Sequence, residues 1–68
     1  MPYSVNADLP PSVREHLPAE AQSIFRGAFN NALKEYGDEA RAFKVAWAAV
    51  KRDYEKNDKG QWVKKAKD

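Results

Sequence analysis

Apolar positions recur at helical spacing through most of this chain. Between residues 18 and 36, Ala21, Ile24, Phe25, Ala28, Phe29, Ala32, Leu33 and Tyr36 keep i, i+3, i+4 spacing. They cover about half of a helical wheel, and Ser23, Arg26, Asn30 and Lys34 take the other half. A later segment, from 39 to about 56, is more apolar still. Phe43, Trp47, Val50 and Tyr54 form one ridge, and Ala42, Val45, Ala46 and Ala49 form a flatter one that lets another backbone come close. An apolar surface around more than half the circumference predicts a central third helix, wrapped by two earlier helices and the chain ends.

Turn-forming residues divide these segments. Asn6 to Leu9 reads as a turn with Asp8 as the cap, and Pro10-Pro11 suits the first turn of a short helix over 11–16. Pro18 opens the second helix, with Glu20 near its positive end, and Gly37 stops it. Asp38 caps the third. Asn57-Asp58-Lys59-Gly60 is a turn, and residues 61–65 read as a short strand. In residues 1–5, Tyr3 and Val5 alternate beside Pro2, as on an edge strand. The expected fold is therefore mainly α. It is a small three-helix bundle with the third helix central, plus a minor two-stranded pairing of the N- and C-terminal segments. One domain spans residues 1–68, with 1–5 and 66–68 loose. The expected core is Phe25, Phe29, Phe43, Trp47, Val50, Tyr54 and Trp62.

Size and composition narrow the functional classes. A domain of 68 residues buries only roughly 60% of its unfolded surface. With 12% aromatic residues, the large rings must supply most of the core. Cysteine is absent, which excludes disulfides and thiolate metal sites. No apolar run approaches the ~20 residues needed to cross a bilayer, and the N-terminus lacks signal-peptide character. A soluble cytoplasmic protein is expected. Catalysis has few candidates. His16 stands beside Glu15 near the end of a short helix, where two sequence neighbours point in different directions and make no catalytic pair. The glycines at 27, 37 and 60 are isolated, so no loop cradles a phosphate. Asp53, Glu55 and Asp58 lack the alternation of a calcium loop. No enzyme activity, cofactor or metal is expected.

Charge is unevenly spread. Residues 1–40 hold six acids and three bases, whereas residues 41–68 hold nine bases and four acids, so the second part carries the positive charge. On the third helix Arg41, Lys44, Lys51 and Arg52 fall within about a third of the wheel, opposite Phe43 and Trp47, with Ala48 among them. Lys56, Lys59, Lys64, Lys65 and Lys67 follow. The polar side of a buried helix must hold something, and a solvated face explains such a strip as simply as a binding one. A binding strip would suit phosphate backbones, anionic headgroups or an acidic protein loop. The strip lacks a recognition helix with base-reading Asn, Gln or Arg, so general phosphate contact fits better than sequence-specific DNA recognition. The expected contact residues are Arg41, Lys44, Lys51, Arg52, Lys64 and Lys65.

Several motifs also resemble one family. Asp8-Leu9-Pro10, Leu17-Pro18, Ala21-Gln22-Ser23-Ile24-Phe25, Ala28-Phe29-Asn30, Ala46-Trp47-Ala48-Ala49-Val50-Lys51 with Tyr54, and Gly60-Gln61-Trp62 with Lys65 look like the ChaB family. The resemblance covers nearly the whole chain. It implies a small helical domain with a minor two-stranded pairing near the termini, in which Trp62 would anchor the tail near Tyr3. It further implies a regulator of a sodium or calcium/proton antiporter, with a cytoplasmic part of that antiporter as partner. Some relatives sit beside a domain like the N-terminal part of the terminator Rho, which makes nucleic acid the alternative partner. Here the connection between helices two and three is only Gly37-Asp38-Glu39, shorter than in relatives with a charge-rich insertion. The chain is expected to act as a monomeric binding module.

Overall fold

The two long helices form where their wheel patterns require. In the computed structural model, which describes residues 3–65, a single 3-10 turn at Asn6–Asp8 precedes three helices: α1 (Pro11–Arg14), α2 (Ala19–Tyr36) and α3 (Glu39–Asp53). Two strands follow, β1 (Tyr54–Lys56) and β2 (Trp62–Lys64), paired antiparallel. The protein is mostly helical with one small sheet.

Local chemistry explains the helix ends. Gly37 adopts φ +68°, and its N–H closes onto the Leu33 carbonyl at 2.8 Å, satisfying a group the last turn leaves open. Asp38 caps α3 by accepting from the Ala40 N–H at 3.0 Å. Asp8, expected as a cap, does not serve α1, whose N-cap is Pro10 without a side-chain bond. The short helix also ends at Arg14 rather than 16.

The sheet differs from the expected pairing. Its C-terminal strand lies within the predicted 61–65, but its partner is Tyr54–Lys56 and not the N-terminal segment. Accordingly α3 stops at Asp53, because Tyr54 turns to an extended backbone (φ −128°, ψ 153°) and sinks its ring into the core. A hairpin then closes through Asn57, whose side-chain oxygen accepts from the N–H groups of Lys59 and Gln61 at 3.0 and 2.9 Å. The register pairs Tyr54 with Lys64, Glu55 with Val63 and Lys56 with Trp62.

Tyr3 finds its backbone partner elsewhere. Its N–H donates to Asn30 Oδ1, and its carbonyl accepts from Asn30 Nδ2, both at 2.8 Å. Arg26 fastens the next residues, donating to the Ser4 carbonyl at 3.1 Å and to Asn6 Oδ1 at 2.9 Å. The segment 3–5 is thus held on α2 rather than loose. Residues 1–2 and 66–68, also expected to be loose, lie outside the described residues.

The helix shared by the other elements is α2 and not α3. It packs along α3 and also receives the 3-10 turn and α1. Leu9, Val13 and Leu17 join Ala21, Phe25, Phe29, Ala32, Ala42, Ala46, Val50 and Tyr54 in one buried cluster. Ala42 and Ala46 let α3 approach closely, while Val45 stays 37% exposed on its outer side. The broad apolar surface of α3 therefore overstated how much of that helix is covered.

Candidate interaction surface

Arg41, Lys44, Lys51 and Arg52 are all exposed on α3, away from its buried residues Ala42, Ala46 and Val50. Arg41 lies over the Tyr36 ring at 4.8 Å from the centroid, a cation–π contact at the junction of α2 and α3. Lys51 and Arg52 occupy the last turn of α3, where the negative end of the helix dipole favours cations. The hairpin brings Lys64 and Lys65 to the same end: Lys64 stands opposite Tyr54, and the Lys65 N–H donates to the Asp53 carbonyl at 2.8 Å. Both side chains are exposed. Lys67 lies outside the described residues.

Beside this basic face is a feature the wheel did not reveal. A chain of rings leads from the core to the surface. Phe29 meets Phe43 at 4.8 Å, Phe25 meets Phe43 at 6.0 Å and Trp47 edge-on at 5.1 Å, and Trp47 meets Trp62 at 5.7 Å. Phe25 and Phe29 are fully buried with Val50, and Tyr54 is nearly so, whereas Phe43, Trp47 and Trp62 are half-buried. Tyr3 packs on Phe29 at 4.8 Å, so Trp62 anchors the tail on Trp47 while Tyr3 docks elsewhere. This replaces the expected Trp62–Tyr3 anchor.

Three cavities share Trp62 as a wall. One of about 310 Å³ is lined by Ser12, His16, Trp47, Lys51, Lys56 and Trp62. A second, of about 270 Å³, extends past Glu15, Leu17, Pro18, Gln61 and Val63. The third, about 460 Å³, lies between Pro18–Glu20, Tyr54, Val63 and Lys64. In the register, Lys56 and Trp62 are directly opposite, so hairpin geometry puts a lysine beside the outer indole. His16 enters from the turn that follows α1. The Ser12 carbonyl can only accept, so the His16 Nδ1–H donates to it at 2.6 Å, which leaves Nε2 for another partner. At the far end the Tyr54 hydroxyl donates to Glu20 Oε2 at 3.2 Å. Burial, and then this bond to Glu20, raise the Tyr54 pKa above the ordinary tyrosine value. Burial, with the Glu39 charge adding to it, raises that of Tyr3.

Ser12, His16 and Lys56 were not expected at a site. Lys51, expected opposite Trp47, shares a cavity wall with it, because residues four apart lie on one face of a helix; the hairpin that carries Lys56 and Trp62 to them was not legible. The arrangement offers positive charge around a half-covered aromatic floor. Among the described residues, no three His, Cys, Asp or Glu side chains are grouped to hold a metal ion. No helix among them is long and apolar enough to cross a membrane.

This architecture has known counterparts. The ChaB family model matches residues 9–65, most of the chain. The chain belongs to the ChaB family. Relatives named "Putative cation transport regulator ChaB", from Escherichia coli (strain K12) and Shigella flexneri, are each 46% identical to it over 76 residues. Those matches cover 97% of this chain and all of each relative. The 76 aligned positions exceed the 68 residues of this chain, so these ChaB proteins contain residues with no counterpart here. A solution NMR structure of a ChaB protein superimposes with a TM-score of 0.85 at 45% identity, covering 96% of this chain and 100% of the other.

Proposed function

We propose that this ChaB-family chain is a non-enzymatic regulatory module that works in the cytoplasm by binding another protein. The partner is an acidic cytoplasmic segment of a cation/proton antiporter, in keeping with the cation-transport name its relatives bear. One observation carries the proposal: exposed Arg41, Lys44, Lys51 and Arg52 form one face of α3, and Lys64 and Lys65 are folded up to its end. Such a face steers an acidic partner and fixes its orientation.

A second reading uses the same residues against a nucleic-acid backbone, and salt separates the two. Four phosphate contacts release counterions and lose on the order of a hundredfold in affinity between ~50 and ~200 mM salt. A protein contact with an apolar centre loses much less. The test is a residue-resolved NMR titration with peptides from the antiporter's cytoplasmic loops and with short duplex DNA, each at both salt concentrations. Shifts of the Arg41, Lys44, Lys51 and Arg52 amides by a loop peptide, persisting at the higher salt, are expected. Shifts by DNA alone, fading with salt, would transfer the assignment to nucleic acid.

A further inference from the structure

The basic face of α3 explains charge, but it leaves unexplained why two tryptophans of a 68-residue protein stay partly exposed next to it. Trp62 ends a relay of rings that starts in the core, so its position is fixed by Trp47 and, through it, by Phe25. Three adjoining cavities open along this one indole. Lysines line two of these cavities with it: Lys51 from α3 and Lys56 from β1 in one, and Lys64 from β2 in another. Glu15 and Glu20 lie at the outer end, and Glu20 already accepts from Tyr54. Val63, at 38% exposure, extends the apolar floor past Trp62.

We infer that this groove is the anchor site for a partner's acidic segment, receiving one aromatic or large aliphatic side chain against Trp62 while flanking carboxylates meet Lys51, Lys56 and Lys64. The charge of the walls selects the occupant. An indole wall with three lysines in its cavities, and carboxylates only at the outer end, complements an apolar side chain set among acids, and interface energy concentrates where an aromatic anchor fills a desolvated pocket. A nucleic acid backbone fits less well, because it would lay its phosphates along a ridge and leave the apolar floor unused. Trp47 and Trp62 pack on each other at 5.7 Å, so no base enters between them. The inference rests on the protein-binding proposal above and deepens it, locating the apolar centre that the basic face lacks.

The test is an NMR titration of the whole chain with synthetic peptides, following the two indole N–H signals. The probes are blocked nine-residue peptides of alternating Asp and Glu with Phe, Leu or Gly at the centre. Expected are shifts of both indole signals and binding at least tenfold tighter for the Phe or Leu peptide than for the Gly peptide. Lys56→Glu, at an exposed hairpin position, should weaken the Phe peptide severalfold and erase most of that preference. Trp62→Phe, which keeps a ring on Trp47, should weaken it less. Equal affinity for all three peptides, with shifts confined to α3 and sensitivity to Arg41→Glu and Lys44→Glu but not to Lys56→Glu, would overturn the groove and keep the basic face. Groove binding that survives Arg41→Glu and Lys44→Glu would keep the groove and remove the face. Failure of every peptide to bind at millimolar concentration, or displacement of a bound Phe peptide by equimolar single-stranded DNA, would overturn the inference.

Discussion

The seam between α2 and α3 and the junction of α1, α3 and the hairpin are built from similar residues but finished differently. In the seam, Phe25, Phe29, Ala42, Ala46 and Val50 are wholly shielded from solvent. At the junction the same kind of ring, on Trp47 and Trp62, is half-covered and bordered by cavities and lysines. The seam has satisfied its need to bury apolar surface internally, while the junction retains apolar surface that a partner could still cover. In so small a domain this separates residues that hold the fold from residues available for contact.

That contrast can be broken most directly at Phe29, which touches Tyr3, Phe25 and Phe43. Phe29→Ala should cost about 3–5 kcal/mol and can unfold the domain, measured by urea or thermal denaturation. Trp47→Ala should cost less, about 2–3 kcal/mol, because the ring is only partly buried while Phe29 is wholly so. If Trp47→Ala proved as damaging as Phe29→Ala, the junction would be core and the distinction would fail.

The sequence made the seam legible and left the junction hidden, for a physical reason. Periodicity reports which residues share a face of one helix, so Phe25 and Phe29 on α2 and Val50 on α3 could be read directly, as could the Gly37 stop and the Asp38 cap. It does not report where a helix yields to a strand. Tyr54 lies four residues after Val50 and reads as one more turn of helix, yet the chain straightens there. Everything that depends on that change followed from the fold alone: the partner of β2, the meeting of Lys56 with Trp62, and the return of Lys64 and Lys65 to the end of α3. Arg26 and Asn30 were hidden in another way. On the wheel they are merely polar, and their use as clamps for residues 3–6 requires knowing where that segment lies.

Smaller effects sharpen the comparison further. Asn30→Ala removes both bonds to Tyr3 and should cost about 1–2 kcal/mol in denaturation, without disturbing the indole signals of the junction. Tyr54→Phe should cost about 0.5–1.5 kcal/mol at neutral pH, from the bond to Glu20. The pH dependence has a definite sign. The folded state holds the Tyr54 proton more tightly than the unfolded chain, so stability is complete below the ordinary value of 10.0 and declines as pH rises through the raised folded value. Tyr54→Phe should flatten part of that alkaline decline, and Tyr3, raised likewise, acts in the same direction. Melting temperatures recorded between neutral pH and pH 11 would show it.

The Asn30 carboxamide gives Tyr3 both halves of what a neighbouring strand would offer, from a side chain carried on the longest helix. A strand partner would have a backbone of its own to fray; a helix-borne amide does not. In hydrogen exchange, the Tyr3 amide should therefore stand out as a slow site, and its rate would time the release of residues 3–6 from α2 separately from the opening of the domain.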